Sequence, residues 1–405
     1  MKQIVILCFG LILACGGEPP APPVALDSAG VSIVQNFGPT WSREEAWRVA
    51  PIARIDIGGS TTDPNYQLTR IVGSTQLDDG SIVVAVGGTQ ELRWYDANGN
   101  WRHSAGGTVT FASIEWIGRL GAQAVMVFDF GNLRLSVYDS EGQIQQSRTL
   151  VVTFQASPSS AKGVFNDSSV LAVRDVKSWA PTMIRAGSTP EGLVRGPAAA
   201  FRYGADGAFL NSVGSFQGAQ RIFSTGQGRF VRVTPPPFGR TTVFAASNDR
   251  FYVGTQDEYE LSVYDVQGGL TGILRLDRPN APTTEQDIGR YKRGRLAGVH
   301  ELQKADREAE LDALPYPETM PAHGPIRVDG DGNLWVADPR PFGDERQVWN
   351  VFDSEHRMLG TVELLRDLVV HEFGSDYVLG SMTGEDRIQH LQLYELEKPE
   401  ERGDS

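Results

Sequence analysis

"SVYDSEGQ" at residues 136–143 and "SVYDVQGG" at residues 262–269 repeat one sentence of sequence: Ser-Val-Tyr-Asp with a Gly three residues beyond the Asp. Related stretches are "RWYDANGN" (93–100), "FRYGADGA" (201–208), "NVFDSEHR" (350–357) and "QLYELEKP" (392–399), which makes six copies. Their aromatics, Tyr95, Tyr138, Tyr203, Tyr264, Phe352 and Tyr394, stand 43, 65, 61, 88 and 42 residues apart. The short steps suit one four-stranded unit and the long ones imply insertions. An apolar run precedes each copy: "SIVVAV" (81–86), "AVMVFD" (124–129), "VLAVRD" (170–175), "RFYVGT" (250–255), "NLWVAD" (333–338) and "YVLGSM" (377–382). Polar turns such as "LDDG", "FNDS", "SNDR" and "GDGN" stand before most of these runs. Short strands reversing at such turns form antiparallel sheets. The Tyr-Asp-x-x-Gly copy is then the end of a third strand and its turn into a fourth.

Six such sheets in series predict an all-β chain: a six-bladed β-propeller, in which neighbouring sheets bury each other's faces. "YELEKP" ends after the third strand of the sixth unit, while "ARIDIGG" (53–59) imitates "WRHSAGG" (101–107), a fourth strand. The amino-terminal strand is therefore expected to complete the last blade and remove an open sheet edge. "VDGDGNLWVAD" (328–338) resembles an NHL-type repeat core, and the array from about Ala53 to Leu396 is similar to bacterial secreted six-bladed propellers of the NHL/TolB-like group. That resemblance implies a fold, and propellers host binding proteins and enzymes alike.

Composition agrees with a folded β-rich protein. Hydrophobic residues are 40% and charged residues 21% of the 405, with 45 Gly and 23 Pro scattered as turn punctuation. The formal net charge of −13, with no Lys/Arg-rich run, argues against a nucleic-acid partner. The start, "MKQIVILCFGLILAC", has the basic, apolar and small-residue order of an export signal, and "ILAC" resembles the bacterial lipobox. Residues 1–14 are read as a lipoprotein signal, and Cys15 as the lipidated residue. Residues 15–25, with "GGEPPAPP", form a Pro-rich tether, which leaves 26–397 for the propeller and 398–405 as a tail. Such a protein sits at the cell envelope, on the outer membrane, facing the periplasm or the outside; the anchor is its one contact with the bilayer. With Cys8 removed and Cys15 acylated, the mature domain carries no free thiol.

Three long connections fall on one face: about 177–196, the crossing 217–240, and 278–325. The last, containing "APTTEQDIGRYKRGRLAGVHELQKADREAELDALPYP", predicts helix from Thr283 or Thr284 as N-cap, as one helix or two, with an apolar stripe of Leu296, Val299, Leu302, Ala305 and Ala309. It is either a lid or a surface patch. Long loops on a rigid scaffold are where binding sites form. Candidate ligand-binding residues on that face are Arg174, Asp175, Trp179, Arg240, Tyr291, Arg293, Asp338, Arg340 and Arg346, with Arg185, Phe238, Phe342 and Asp344 beside them. Arg among aromatics suits carboxylate, phosphate or sugar, and inter-blade ion pairing is the alternative use of the same residues.

Two functions follow: a non-enzymatic binding or scaffolding lipoprotein taking a protein or small molecule on the decorated face, or a metal-dependent lactonase or esterase with calcium on the axis. For the second, Asp129, Asn132, Asp175, Asp257 and Asp338 are the available ring, although the first strands ("IVGSTQL", "IEWIGRL", "VFAAS", "IRVD") are poor in carboxylates. "DGDGN" (329–333) begins like a calcium loop but has Arg340 at its twelfth position, so a hairpin is expected. His103, His300, His323, His356, His371 and His390 show no ligand spacing, and no G-x-S-x-G elbow exists. Binding without a cofactor is the preferred reading.

Overall fold

The repeated stretch is a turn closed by its own aspartate, as a computed structural model of the chain shows. Asp139 Oδ1 accepts from the backbone N–H of Glu141 (3.1 Å) and Gln143 (2.8 Å). Asp96, Asp265 and Asp353 do the same for the residues two and four positions on. The position three beyond the aspartate needs left-handed backbone, which Gly99, Gly142 and Gly268 adopt with φ of +82°, +73° and +89°. In the fifth copy His356 takes that place at φ +66°. Asp139→Ala should cost about 1 kcal/mol, the size of a lost cap, read as a lower urea midpoint at unchanged slope.

The structure describes residues 20–42, 44–59, 62–153, 156–175, 191–225, 231–339, 346–384 and 388–399, with Ala180, Ile184 and Gly187 alone between 176 and 190. Four short strands come first: β1 (Val24–Ser28), β2 (Val31–Asn36), β3 (Arg48–Val49) and β4 (Ile55–Gly58). Six antiparallel sheets then follow in chain order. They comprise β5 (Ile71–Gln76), β6 (Ile82–Val86), β7 (Glu91–Tyr95) and β8 (Trp101–Gly106); then β9 (Ile114–Leu120), β10 (Ala124–Asp129), β11 (Arg134–Asp139) and β12 (Ile144–Thr149). The third has β13 (Ser160–Val164), β14 (Val170–Arg174), β15 (Gly192–Tyr203), β16 (Phe209–Thr225) and β17 (Val231–Thr234). The fourth has β18 (Val243–Ser247), β19 (Arg250–Gly254), β20 (Glu260–Asp265) and β21 (Leu270–Leu276). After helices α1 (Glu285–Leu296) and α2 (Glu301–Asp312) come β22 (Ile326–Val328), β23 (Leu334–Ala337), β24 (Arg346–Phe352) and β25 (Met358–Leu365), and finally β26 (Val369–Phe373), β27 (Tyr377–Thr383) and β28 (Gln389–Glu397).

The arrangement is propeller-like. Apolar clusters join each sheet to its successor, and one joins the sixth to the first, where Leu379, Leu391 and Leu393 meet Ile82, Val84 and Tyr95. Because both faces are covered, the second strands read as continuous apolar runs: every residue of "IVVAV" in β6 is buried. The first strands β5, β9, β13, β18, β22 and β26 lie side by side in that order, with β26 against β5. β4 pairs antiparallel with β28, Ile57 opposite Leu391, and β3 extends the pairing at Leu396.

Three details differ from the sequence reading. β1 begins at Val24, inside the stretch read as tether, and β2 pairs in parallel with β21 (Ser32 opposite Gly272), so a hairpin widens the fourth sheet to six strands. Much of the 217–240 crossing is strand, because β16 runs on to Thr225 and β17 returns beside it. The insertion is two helices, and the expected stripe does not hold together: Leu296 and Val299 are half-buried, Ala305 and Ala309 are exposed, Leu302 is 87% exposed, and Leu311 is the one buried residue of α2. It is held by its ends instead. Thr284 caps α1 in a capping box with Asp287, and a short neck pairs Thr283 N–H with the Glu318 carbonyl and Met320 N–H with that of Ala281. Neither described helix is long and apolar enough to cross a membrane.

Candidate functional site

In an antiparallel series the connections from second to third strand, and from the last strand of one sheet to the first of the next, leave from one face. On that face Asp257, between β19 and β20, accepts a two-pronged bond from Arg195 Nη1 (2.7 and 2.8 Å) and lies 3.5 Å from Arg240 Nε. Arg195 also donates to the carbonyls of Thr255 and Gly218, and Arg240 donates to Thr319 Oγ1 at 2.8 Å. One carboxylate thereby joins the long β15–β16 hairpin, the crossing into the fourth sheet and the neck of the insertion.

A second knot lies at the start of the insertion. Arg278 reaches both oxygens of Asp338 (2.6 and 3.1 Å), and Asn350 Nδ2 donates to the same carboxylate at 2.6 Å. The Arg278 guanidinium sits 4.8 Å over the ring of Tyr259, so its charge is held by a carboxylate and a π-face together. Beside it His323 is fully buried. Its Nδ1 lies 2.9 Å from the Gly324 carbonyl and therefore carries the proton, which leaves Nε2 as an acceptor with no partner among the described residues. Burial holds this imidazole down to about 4, with the Arg278 charge acting the same way against the pull of Asp257 and Asp338. The buried Tyr259 hydroxyl also has no hydrogen-bond partner among the described residues, and burial pushes its pKa far up.

Arg240 and Asp338, named from sequence, therefore act as staples on either side of the insertion's neck. Asp175 accepts from Ser159 Oγ at 2.7 Å at the end of β14, and Arg174 beside it has contacts of its own. Tyr291 lies on α1 and packs against Phe238 (5.7 Å between ring centres) and Tyr316 (6.2 Å), fastening the helices to the crossing. Arg293 is exposed on α1, and Arg346 is exposed at the start of β24. Trp179, Arg340 and Cys15, with Arg185, Phe342 and Asp344, lie outside the described residues.

The carboxylates considered for an axial ring each have protein partners: Asp175, Asp257 and Asp338 those just given, and Asp129 a set of its own. Asp129 is buried and accepts from the N–H groups of Ala112, Ser113 and Gly131 and from Asn132 Nδ2. Asp329 in "DGDGN" accepts from Asp331, Asn333 and Trp335 Nε1, which makes the stretch a hairpin turn. Among the described residues no three His, Cys, Asp or Glu side chains are grouped to hold a metal ion.

Sequence reasoning missed Arg195, Arg278, Tyr259 and His323, and a cleft of about 720 Å³ between the amino-terminal hairpin and the turns of the fourth and fifth sheets. Pro23, Val34, Arg250, Val263, His356 and Arg357 are among its lining residues. Asn36 fastens the hairpin there, giving its amide to the His356 carbonyl (3.0 Å) and accepting from Met358 N–H (2.7 Å). The signal in the sequence was His356 standing in a glycine's place.

No family model matches the chain, and no curated protein matches it. Solved structures do. An exported protein of Bacteroides fragilis, described as putative, aligns over 90% of this chain and 99% of its own at 8% identity and a TM-score of 0.46. A DUF4221 member from Bacteroides vulgatus aligns over 88% and 100% at 9% identity and 0.47. A gluconolactonase from Xanthomonas campestris aligns over 93% and 99% at 14% identity and 0.40. Likeness at this level assigns neither family nor activity.

Proposed function

We propose that the six sheets are the blades of a six-bladed β-propeller of the secreted NHL/TolB-like kind, closed by β4 in the last blade, and that it is an envelope lipoprotein anchored through Cys15 whose insertion-bearing face recognises an acidic partner. The observation that carries the reading is α1. Within its twelve residues a chain of net charge −13 gathers Arg290, Lys292, Arg293 and Arg295. Lys292 is taken by Asp312 at 2.6 Å, whereas Arg293 and Arg295 are exposed, with Arg295 5.9 Å from the Tyr291 ring centre. The Arg278–Asp338 and Arg240–Asp257 staples tie down the neck of the insertion, so ordering on binding is confined to the two guanidinium side chains. Guanidinium is the side chain suited to carboxylate or phosphate on a protein or small molecule. The reading requires no cofactor, no calcium and no nucleic acid, and its contact with lipid is the anchor alone.

The test uses envelope fractions carrying wild type, Cys15→Ser, or Arg293→Glu with Arg295→Glu. Chemical crosslinking should yield an acidic partner with wild type; titration of that purified partner should weaken at least tenfold against the double charge reversal at unchanged melting temperature. Cys15→Ser should move the protein to the soluble fraction. Equal affinity for the double variant would remove α1 from the recognition surface, and hydrolysis of lactones or esters abolished by a chelator would replace binding with the enzymatic reading.

A further inference from the structure

We propose that the first strands of the fifth and sixth sheets hold a site for a small oxyanion, a carboxylate or phosphate group, with Arg327 as its cation. The inference is independent of the insertion-bearing face. In β22, Ile326 and Val328 pack into the cluster shared with the fourth sheet, and Arg327 between them turns the other way, toward β26. Its Nη1 donates to the Ile326 carbonyl at 2.9 Å and its Nη2 lies 3.5 Å from the Val370 carbonyl. No described carboxylate pairs with it. Arg offers five N–H donors in a planar fork, so most of this one is unspent, and burial pushes its pKa below the ordinary value.

The surroundings supply no negative charge. His371 on β26 is a bulged residue: Val370 stands opposite Gly380 and Glu372 opposite Leu379, which leaves His371 without a place in the register. The bulge sets its ring between Ser74 Oγ (2.8 Å from Nδ1) and Ser381 Oγ (3.1 Å from Nε2). Burial first, and then the charge of Arg327, hold this imidazole neutral, with a pKa down at about 3. A neutral imidazole has one N–H. It accepts from one serine hydroxyl and donates to the other, and that second serine keeps its own hydroxyl hydrogen to give away. Glu372 is no counter-ion, since its oxygens accept from Gln76 N–H (2.9 Å) and the Tyr377 hydroxyl (3.0 Å) on the side toward the first sheet. The result is a half-buried guanidinium with unspent donors and no described carboxylate to pair it, on the strand next to a neutral ring and one spare hydroxyl donor. Water meets the unspent N–H donors in the free protein, and an anion with two or more oxygens takes them in charge-assisted pairs that water does not offer.

The experiment is thermal melting of the purified protein in sodium phosphate and in sodium acetate, each against sodium chloride at matched ionic strength. A saturable rise in melting temperature is expected with phosphate if the group is a phosphate and with acetate if it is a carboxylate. Arg327→Gln should weaken the response at least tenfold in anion concentration, and Arg327→Lys, which keeps the charge but not the fork, should weaken it in the same direction and serves if the Gln variant fails to fold. Arg293→Glu should leave the response intact, which separates this site from the binding face. Absence of a saturable response to either anion in the wild type, or an equal response in the Arg327 variants, overturns the proposal.

Discussion

Ile57→Asp is expected to be the most damaging single substitution in the amino-terminal segment. β4 supplies the outer strand of the sixth sheet, and Ile57 is fully buried there with Ile55, Leu68, Leu391 and Leu393 in the cluster that joins the sixth sheet to the first. The change removes a buried aliphatic side chain and puts a carboxylate in its place, at a cost of about 4 kcal/mol or more. Against typical stabilities of about 5–15 kcal/mol that is a large fraction of the whole. It also unpairs β28, whose residues His390 to Leu393 lose their neighbours and leave an open edge. Urea unfolding should show a midpoint shifted strongly downward, and light scattering should show association above micromolar concentration. Val24→Asp is the control, because β1 is exposed along its whole length and Val24 itself is 44% exposed. If both variants unfold at the wild-type midpoint, β4 does not close the ring in solution.

What was legible in the sequence was local. The Asp that closes four of the six turns, and the Gly or His three residues on, bond within a single turn, so their spacing can be read directly. Thr284 as helix cap is local too. The site is long-range. Asp257 meets Arg195 across 62 residues, and Asp338 meets Arg278 across 60, at the ends of insertions whose lengths say nothing of where they return. Arg240 and Asp338 could be named as charged residues on the decorated face, but their partners come from other sheets, and the partners turn them into staples. The parallel pairing of β2 with β21 is less accessible still, because "VALDS" buries none of its residues and so carries no alternation to read. The bulge that aims His371 is a property of register, which appears once strands pair.

Three of those histidines make stability depend on pH. Burial depresses His323 and His356 to about 4 and His371 to about 3. In the unfolded chain each takes a proton near 6.5. Between these limits the unfolded state binds protons that the folded state refuses, so stability present above about pH 6.5 is lost as the pH falls toward 4. The loss is on the order of 2 kcal/mol per histidine at pH 5 as an upper value, from ~1.4 kcal/mol per pH unit. Glu372 and Asp329, raised by burial, oppose this, because folding favours their protonated forms. The wild-type drop is therefore the histidine loss less what these two groups return, and a single-histidine variant isolates the first part. His356→Asn is the informative variant, since Asn tolerates the left-handed backbone that His356 adopts at φ +66° while removing the titrating ring. Urea unfolding at pH 7 and 5 should show a smaller drop for His356→Asn than for wild type, with the two within about 1 kcal/mol of each other at pH 7. An Asn variant that keeps the full drop would mean that the His356 ring protonates in place, and that its seat beside Tyr252 is open enough to water to let it.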